Sequence, residues 1–334
     1  MAAGRPAAVL AGGVIALAVL VLLSLGLGAQ PLSPAAVLHA VVHPHGTDEA
    51  ERIVNGLRLP RTLVGLVAGS ALGMAGAVMQ GVTRNPLADP GLLGVNAGAS
   101  LAVIVAITLF GVTSPAGYVW FALAGAAVAA ALVYLVGTTG AGGATPVKLA
   151  LAGAALTAGL TSVVTLVLLS HSDVFQQFRF WQVGSLTGRG LSAVGLAAPF
   201  AAVGAALALV GARSLNILGL GDDVARGLGQ NVRLARGVCA LAVVLLAGAA
   251  TSIAGPIVFV GLVAAHAARR AAGADYRWIV VLSAVVGPAL LIAADVVGRF
   301  VAPPGELEAG IVVAIIGAPV MIALVRRPRL QVAA

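Results

Sequence analysis

Long apolar runs separated by short polar turns recur along this chain, and they restrict it to one broad class of structure. Of its 334 residues, 60% are hydrophobic and only 9% are charged, and the mean hydropathy is +1.08. Because a soluble domain carries about 25% charged residues, this chain cannot build an ordinary water-facing surface. A bilayer-spanning helix needs about 20 apolar residues, and the chain has room for many. The sequence therefore predicts an integral membrane protein surrounded mainly by the lipid bilayer.

The apolar runs predict an all-α polytopic membrane protein with about ten transmembrane helices, in a single domain that covers residues 1–334. The runs lie at approximately 7–28, 62–82, 92–111, 116–137, 149–170, 191–212, 232–253, 257–269, 279–297 and 310–325. The first run is longer than the apolar part of a signal peptide, so we interpret it as a membrane helix. The eighth run is short, which favours a tilted or partly re-entrant helix inside the bundle.

The distribution of basic residues predicts which side of the membrane the termini face. An even number of spans places both termini on one side, and that side then holds 13 of the 19 lysine and arginine residues. Cytoplasmic loops are enriched in these residues, so both termini are predicted to be cytoplasmic. The same enrichment accounts for the formal net charge of +8, which therefore does not indicate a nucleic-acid partner.

An outer segment at about residues 30–60 collects polar side chains between the first two spans. It contains His43, His45 and Asp48, which are residue types that bind metal ions. These residues lack helical spacing and a thiolate partner, and the single cysteine, Cys239, excludes a multi-cysteine site. A solvated outer loop is favoured, with a metal site as the alternative.

A second outer segment, residues 173–183, carries apolar side chains at helical spacing. Val174, Phe178 and Trp181 stand at positions i, i+4 and i+7, which is typical of one face of a short helix. Tryptophan is enriched at the headgroup level of membranes. The spacing therefore predicts an outer interfacial helix with Trp181 among the headgroups.

The second span combines a glycine stripe with arginines at its outer edge. Gly65, Gly69 and Gly73 recur every four residues, which lets another helix pack in backbone contact. Arg58 and Arg61 precede them on the outer side, against the charge preference there. We expect these arginines to contact an acidic group, with snorkelling to lipid headgroups as the alternative.

Two inner segments predict structured turns. Residues 80–98 contain two prolines between apolar spans, which marks a restrained turn. The coupling segment, residues 213–236, predicts a short cytoplasmic helix with Asp222 as its N-cap, Asp223 in its first turn and Gly229 just past its end. Such a helix offers a docking surface at the membrane face, and the alternative is a plain amphipathic connector.

Few side chains in the predicted spans could transfer protons or take part in catalysis, and these few leave a second kind of transport mechanism open. The only lysine, Lys148, does not complete a phosphate-binding loop, so the chain has no ATPase motif of its own. Asp295 near the outer end of a span is a candidate for proton relay, and an i,i+4 ion pair with Arg299 is the alternative. His266 is a second proton-carrying candidate, although a packing histidine is favoured. A proton-driven secondary carrier is therefore the competing hypothesis, whereas no paired catalytic groups indicate an enzyme.

The segments together resemble the FecCD family, the membrane subunits of ATP-driven importers for iron-siderophores, haem and cobalamin. The resemblance runs from about Leu57 to the C-terminus. Its motifs, in the family's order, are Arg58-Leu-Pro-Arg61, Arg84 to Gly94, Trp181 with Gly184-Ser-Leu186, Leu218 to Gly229, Gly255 to Leu262, Asp295 with Arg299, and Gly317-Ala-Pro319. The chain departs from the family pattern at Ala265 and at Glu308, where the family usually has proline.

The resemblance implies a type II ABC importer permease, a multi-pass protein of the bacterial cytoplasmic (inner) membrane. Two copies, or one copy and a paralogue, would enclose the pathway, two ATP-binding subunits would bind the cytoplasmic face, and a substrate-binding protein would dock outside. No cofactor, metal or nucleic acid is expected. The residues it implies are Arg58, Arg61 and Arg299 for docking of the binding protein, Asp222, Asp223, Ala225, Arg226, Leu228 and Gly229 for coupling to the ATPase, and Asn85, Leu87, Thr145 and Val147 for the inner gate.

The resemblance also ranks the compounds that the protein is expected to transport. A ferric siderophore is the commonest cargo of the family and is the first expectation, haem is the next, and cobalamin is the alternative. No residue pattern in the sequence identifies the transported compound, because the predicted pathway walls consist mostly of small and aliphatic residues.

Overall fold

The computed structural model describes residues 4–43, 48–139, 145–302 and 305–326, and within these ranges the chain is a bundle of α-helices without strands. The helices are α1 (Gly4–Gly26), α2 (Pro34–Val42), α3 (Glu49–Ile53), α4 (Leu59–Thr83), α5 (Val95–Phe110), α6 (Pro115–Thr138), α7 (Pro146–Ser170), α8 (Ser172–Gln182), α9 (Leu191–Leu218), α10 (Asp222–Gly227), α11 (Val232–Ala254), α12 (Val260–Ala272), α13 (Tyr276–Val301) and α14 (Ala309–Val325). A π-helical turn, Val54–Arg58, joins α3 to α4, and a 3-10 helix, Pro90–Leu93, precedes α5.

Seven helical segments of the described chain are long and apolar enough to cross a membrane. They are α1, the continuous segment that ends with α4, and α6, α7, α9, α11 and α13. The shorter apolar helices α5 and α14 and the 13-residue α12 coincide with the remaining predicted runs. At 1.5 Å per residue, α12 is about 20 Å long, which is less than the apolar thickness of a bilayer. The all-helical membrane architecture is confirmed, and the number of ten crossings stays a prediction.

Helix α4 packs against α9, α11, α12 and α13 because its glycines let other helices approach its backbone. A Cβ atom at Gly73 would collide with the carbonyl oxygen of Ser283 on α13. A Cβ atom at Gly76 would collide with the backbone of Gly261 on α12. The predicted backbone contact along the glycine stripe is therefore confirmed, and it places the second span at the centre of the bundle.

Gly73→Val is expected to disrupt the α4–α13 contact and to lower both the yield and the melting temperature of the folded protein. The new side chain would overlap a backbone carbonyl, which cannot move aside as a flexible side chain can. Gly12→Val on α1, where a side chain meets open space, serves as the matched control. Size-exclusion chromatography and thermal melting check the prediction, and equal melting temperatures for the two variants would contradict it.

The segment 30–60 is largely helical, which corrects the prediction of a solvated loop. Helices α2 and α3 fold back against the end of α1 and bury a small apolar cluster there. The cluster consists of Leu25, Val37, Ala40 and Val54. Residues 44–47, including His45 of the alternative metal site, lie outside the described residues. Within the described ranges, no three metal-ligating side chains cluster.

Helix α8 confirms the short helix predicted at 173–183 but corrects its surroundings. Val174, Phe178 and Trp181 are 8%, 0% and 1% exposed, so the predicted apolar face packs into the bundle. The exposed aromatic side chains of α8 are Phe175 and Phe180 instead. The expectation that Trp181 lies among headgroups is therefore wrong. Apolar side chains at helical spacing form one face of a helix, and the spacing alone does not say whether that face contacts protein or lipid.

Candidate functional site

Arg61, near the start of α4, forms the centre of a buried ion-pair cluster. Its Nε donates to both carboxylate oxygens of Asp295 on α13 at 2.9 Å, and its Nη1 lies 2.6 Å from Glu306 Oε2. Arg299, one turn after Asp295, places its Nη2 2.6 Å from Asp295 Oδ2. The ion pair between Asp295 and Arg299, one of the two sequence hypotheses, is therefore present. We call this end of the bundle the Arg61 end.

Backbone carbonyl groups near the end of α1 hold Arg58 and Arg299. Arg58 donates through Nη1 to the carbonyl oxygens of Leu25 and of the next residue, both at 2.8 Å. Arg299 donates through Nη1 to the carbonyl oxygens of Ser24 and Leu27, both at 2.7 Å. The last carbonyls of a helix lack partners within the helix, so α1 offers acceptors that draw both guanidinium groups inward.

The three arginines predicted to receive a binding protein come together, but they do not form an exposed rim. Arg58, Arg61 and Arg299 are 7%, 9% and 8% exposed. They line a cavity of about 630 Å³ at the Arg61 end, together with Glu306. The acceptors just described bind these side chains from inside the bundle. A docking role stays a prediction, and it would require access through the cavity.

Arg189 is a fourth arginine of this cavity, and the sequence analysis missed it. It lies in the turn between α8 and α9, and it is only 8% exposed. Its Nε is buried and has no hydrogen-bond acceptor among the residues that the structure describes. Burial lowers the pKa of Arg189 to about 10, although the nearby side chains of Tyr118 and Glu308 raise it in part. The sequence shows only an arginine between two glycines there, which does not reveal a cavity.

The opposite end of the bundle, the Asp222 end, carries the short helix predicted in the coupling segment. It is observed as α10, and Ala225 is its fully buried residue. Gly229 has a φ of 79°, the left-handed conformation expected just past the helix. The N-cap is Gly221 rather than Asp222, which corrects the prediction. Asp222 is instead the first helical residue, and its carboxylate pairs with two arginines.

These pairs connect α10 to two other helices. Arg84 Nη2 lies 3.4 Å from Asp222 Oδ1, and Arg236 Nη2 on α11 lies 3.0 Å from the same oxygen. Arg84 ends α4 in a left-handed conformation, with a φ of 51°. Asp223 and Arg226 form a separate exposed pair at 2.8 Å. The carboxylate of Asp222 therefore joins the end of α4 to α10 and α11, a link that no local sequence pattern predicts.

An exposed apolar stripe lies beside these charges. Leu220, Val224 and Leu228 recur every four residues around α10 and are 62%, 50% and 63% exposed. Large apolar side chains grouped among charged residues at the end of a bundle are typical of a protein–protein contact. The docking interpretation of the coupling segment is thereby favoured over a plain connector.

The predicted gate residues lie in two turns. Asn85 Oδ1 accepts a hydrogen bond from the amide of Leu87 at 2.9 Å, which stiffens the turn after α4. Thr145 caps α7 by accepting from the amide of Lys148 at 3.3 Å, and Val147 is exposed. Among the described residues, no hydrogen bond joins the first pair to the second, so a gating role stays a prediction.

Asp275 ties α9 to the first turn of α13 at the Asp222 end. It accepts from Asn216 Nδ2 at 2.8 Å, and Asn216 Oδ1 accepts from the Tyr276 amide at 2.8 Å. The side chain of Arg277 hydrogen-bonds the carboxylate and, with Asn216, holds the pKa of Asp275 below its ordinary value of 3.8. The carboxylate therefore stabilises the helix contact while it is ionised.

Asp275→Asn is expected to lower the melting temperature at neutral pH and to weaken its dependence on acid. A lowered folded-state pKa gives stabilisation that is present above the unfolded value and is lost as the pH falls through the folded value. Thermal melting of the wild type and the variant between about pH 7 and about pH 3 measures this difference. Asp173→Asn, at an exposed position on α8, is the control. Identical pH profiles for Asp275→Asn and the wild type would contradict the prediction.

Comparison with known proteins finds one family over nearly the whole chain. A model of the FecCD transport family matches residues 16–327. The ferric enterobactin transport permease FepD of Escherichia coli (strain K12) is 48% identical over 91% of this chain and 91% of its own. The iron(3+)-hydroxamate import permease FhuB of Bacillus subtilis (strain 168) is 43% identical over 96% of this chain and 83% of its own.

A solved structure has the same arrangement of helices. It is an inward-facing conformation of a metal-chelate type ABC transporter, with a TM-score of 0.82 and 26% sequence identity. The superposition covers 96% of this chain and 99% of that chain. The likeness therefore extends over nearly the whole bundle of helices.

Proposed function

This chain belongs to the FecCD transport family and is a permease subunit for iron-complex import by an ABC transporter, and we propose that its cargo is a ferric siderophore. The observation that carries the proposal is the high identity to FepD, a ferric enterobactin permease, over nearly the full length of both chains. Haem and cobalamin are the alternative cargoes.

Reconstitution tests this function and separates it from a secondary carrier. The permease would be placed in proteoliposomes with its ATP-binding subunit and binding protein, and uptake of a radiolabelled ferric siderophore would be measured. ATP-dependent, vanadate-sensitive uptake is expected, with no effect of an uncoupler. Uptake of cobalamin or haem alone would overturn the cargo, and collapse of uptake with an uncoupler would overturn the ATP-driven mechanism.

The buried ion pairs favour the ATP-driven mechanism. Asp295, the intramembrane carboxylate proposed for proton relay, is 2% exposed and is bound by Arg61 and Arg299. Both of its carboxylate oxygens are therefore occupied by guanidinium donors, and a structural ion-pair cluster accounts for this buried side chain. ATP hydrolysis is proposed to occur in a partner subunit, because this chain has no phosphate-binding loop.

The proposed orientation has ten crossings, both termini in the bacterial cytoplasm, and the Asp222 end facing the ATP-binding subunits. The excess of basic residues on that side supports it. The ATP-binding subunit would contact the stripe of Leu220, Val224 and Leu228, and the ion pairs of Asp222 would transmit its movement to the end of α4. The Arg61 end would then face the binding protein outside.

The pathway is proposed to run between two copies of the permease, with Asn85 and Leu87 closing its inner end and Thr145 and Val147 nearby. A homodimer is proposed, and a heterodimer with a paralogue is the alternative. The stiff turn of Asn85 supports a gate, because a rigid turn moves as one body with the helix that carries it.

Cysteine crosslinking tests the gate. Leu87→Cys in a Cys239→Ser background is expected to crosslink the two copies in one nucleotide state and not in another. A cysteine at exposed Leu109 on α5, far from the proposed gate, is the control and should give no state-dependent crosslink. Absence of crosslinking in every nucleotide state would contradict a gate at position 87.

A further inference from the structure

Asp89 is a partly buried carboxylate in the turn that carries the proposed gate. We call this turn, residues 84–93, the gate turn. Asp89 is the N-cap of its 3-10 helix, and Asp89 Oδ1 accepts a hydrogen bond from the amide of Gly91 at 2.9 Å. The same carboxylate interacts with the backbone amide of Phe259, which is the N-cap residue of α12. Asp89 therefore joins the gate turn to the start of another helix.

Phe259 has a backbone conformation that needs such a partner. Its φ is 67°, in the left-handed region that bulky residues rarely adopt. Backbone strain of this kind persists only where the surrounding structure holds it, and it is common in switch regions. As the N-cap, Phe259 has no acceptor for its amide within α12, because the first amides of a helix lack partners there. Asp89 supplies this acceptor from outside the helix.

The side chain of Phe259 extends the contact to α14. A Cβ atom at Gly317 would collide with the Cβ of Phe259, so this side chain packs directly on the backbone of α14. The other end of the gate turn is also held, because Arg84 Nη2 lies 3.4 Å from Asp222 Oδ1 on α10. A continuous series of contacts therefore runs from α10 through the gate turn and Asp89 to α14.

We propose that Asp89 is a positioning residue for transport, which makes α12 and α14 move together with the gate turn. The proposal rests on the proposed gate at Asn85 and Leu87. Movement of α10 reaches the gate turn at Arg84, and the carboxylate of Asp89 passes it on to the amide of Phe259. A carboxylate has two acceptor oxygens, so it can hold the gate turn and α12 at the same time.

Asp89→Ser separates this link from the local helix cap. Serine is also a preferred N-cap residue, so it keeps an acceptor for the amide of Gly91. Its single oxygen lies closer to the backbone than a carboxylate oxygen, and it does not also reach Phe259. Ser114→Ala is the control for loss of a cap alone, because Ser114 caps α6 by accepting from the amide of Gly117 at 3.2 Å.

Two cysteine reporters, each in the Cys239→Ser background, follow the two sides of the link. The assembled transporter is compared in the nucleotide-free and the vanadate-trapped states. Leu87→Cys reports on the gate through crosslinking between the two copies. Ile315→Cys reports on α14 through its rate of maleimide labelling, because Ile315 is 63% exposed. Both signals are expected to change with the nucleotide state when Asp89 is present, and the labelling rate should change several-fold.

Asp89→Ser is expected to separate the two signals. Crosslinking through Leu87→Cys should still depend on the nucleotide state, whereas the labelling rate of Ile315→Cys should become the same in both states. Uptake should fall several-fold, but the binding protein should still stimulate ATP hydrolysis, because the ion pair between Arg84 and Asp222 stays in place. Ser114→Ala should leave both signals and uptake unchanged.

The proposal is overturned if the labelling rate of Ile315→Cys does not change with the nucleotide state in the presence of Asp89. It is also overturned if the change persists in a folded Asp89→Ser variant. Loss of both signals in that variant overturns it as well, because such a loss shows damage to the whole gate turn.

Phe259→Gly decides the question if Asp89→Ser does not fold. Glycine adopts a positive φ without strain, and it removes the side chain that contacts Gly317. Loss of the state-dependent labelling of Ile315→Cys in this variant supports the link, and an unchanged response overturns it. Failure of the gate itself is recognised separately. If Leu87→Cys crosslinks in no state while the labelling of Ile315→Cys responds and depends on Asp89, the proposed gate fails and the link to α14 stands.

Discussion

Ala225→Pro is expected to abolish ATP-driven uptake while the protein still inserts into the membrane. Ala225 is fully buried, and its amide donates to the carbonyl oxygen of Gly221 at 2.9 Å. Proline removes this donor and costs about 3 kcal/mol inside a helix. Helix α10 has only six residues, so it cannot absorb the break. A broken α10 would no longer transmit movement of the ATP-binding subunit through Asp222 to α4.

The measurement compares uptake and ATPase stimulation in proteoliposomes. Ala225→Gly is the matched control, because it keeps the amide donor and should retain most of the uptake. Ala225→Pro should lose uptake and the stimulation of ATP hydrolysis by the binding protein, with normal amounts of protein in the membrane. Wild-type uptake by the proline variant would reject α10 as the coupling element.

The sequence predicted the helices and the glycine stripe because these features depend on neighbouring residues. Apolar runs of membrane-spanning length specify helices by themselves, since every backbone group must find its partner within the segment. The contact of Gly73 with Ser283 follows from spacing on one helix, although the spacing does not name α13 as the partner. The left-handed Gly229 was predictable for the same local reason.

The charged clusters were predictable only in part because their partners lie far apart in the sequence. The resemblance to the FecCD family grouped Arg58, Arg61 and Arg299, and the structure brings them to one cavity. Their burial depends on Asp295 and on carbonyl groups at the end of α1, which the spacing of arginines does not reveal. The ion pair between Arg84 and Asp222 was missed for the same reason.

The segment 30–60 shows a different limit. Its helices are too short to span a bilayer, so a search for spans leaves them in a loop. Val37 and Val54 nevertheless bury against the end of α1, and this contact decides where the acceptors of Arg58 lie. A short apolar stretch near a membrane surface can therefore form packed helices that a search for runs of membrane-spanning length does not predict.

Asp295→Asn is expected to cause the largest loss of stability among single substitutions that keep side-chain size. The carboxylate is 2% exposed and bonds Arg61 and Arg299 at once. Removing one partner of a buried ion pair costs about 3–5 kcal/mol, because the remaining charge stays buried and uncompensated. Here two guanidinium groups lose their shared anion, although Glu306 still neutralises Arg61 in part.

Thermal melting of the purified permease measures this effect, with Asp223→Asn as the matched control. Asp223 also pairs with an arginine, Arg226, but its side chain is 98% exposed, so its substitution should change the melting temperature little. Equal melting temperatures for the two variants would show that the buried cluster does not stabilise the Arg61 end.

The same cluster decides how docking at the Arg61 end has to be tested. Arg61→Glu would set a new carboxylate against Asp295 and Glu306, so it would unfold this end of the bundle whether or not a partner binds there. Loss of binding in that variant would carry no information on docking. The docking prediction therefore has to be tested with substitutions that leave the bonds of Asp295 in place.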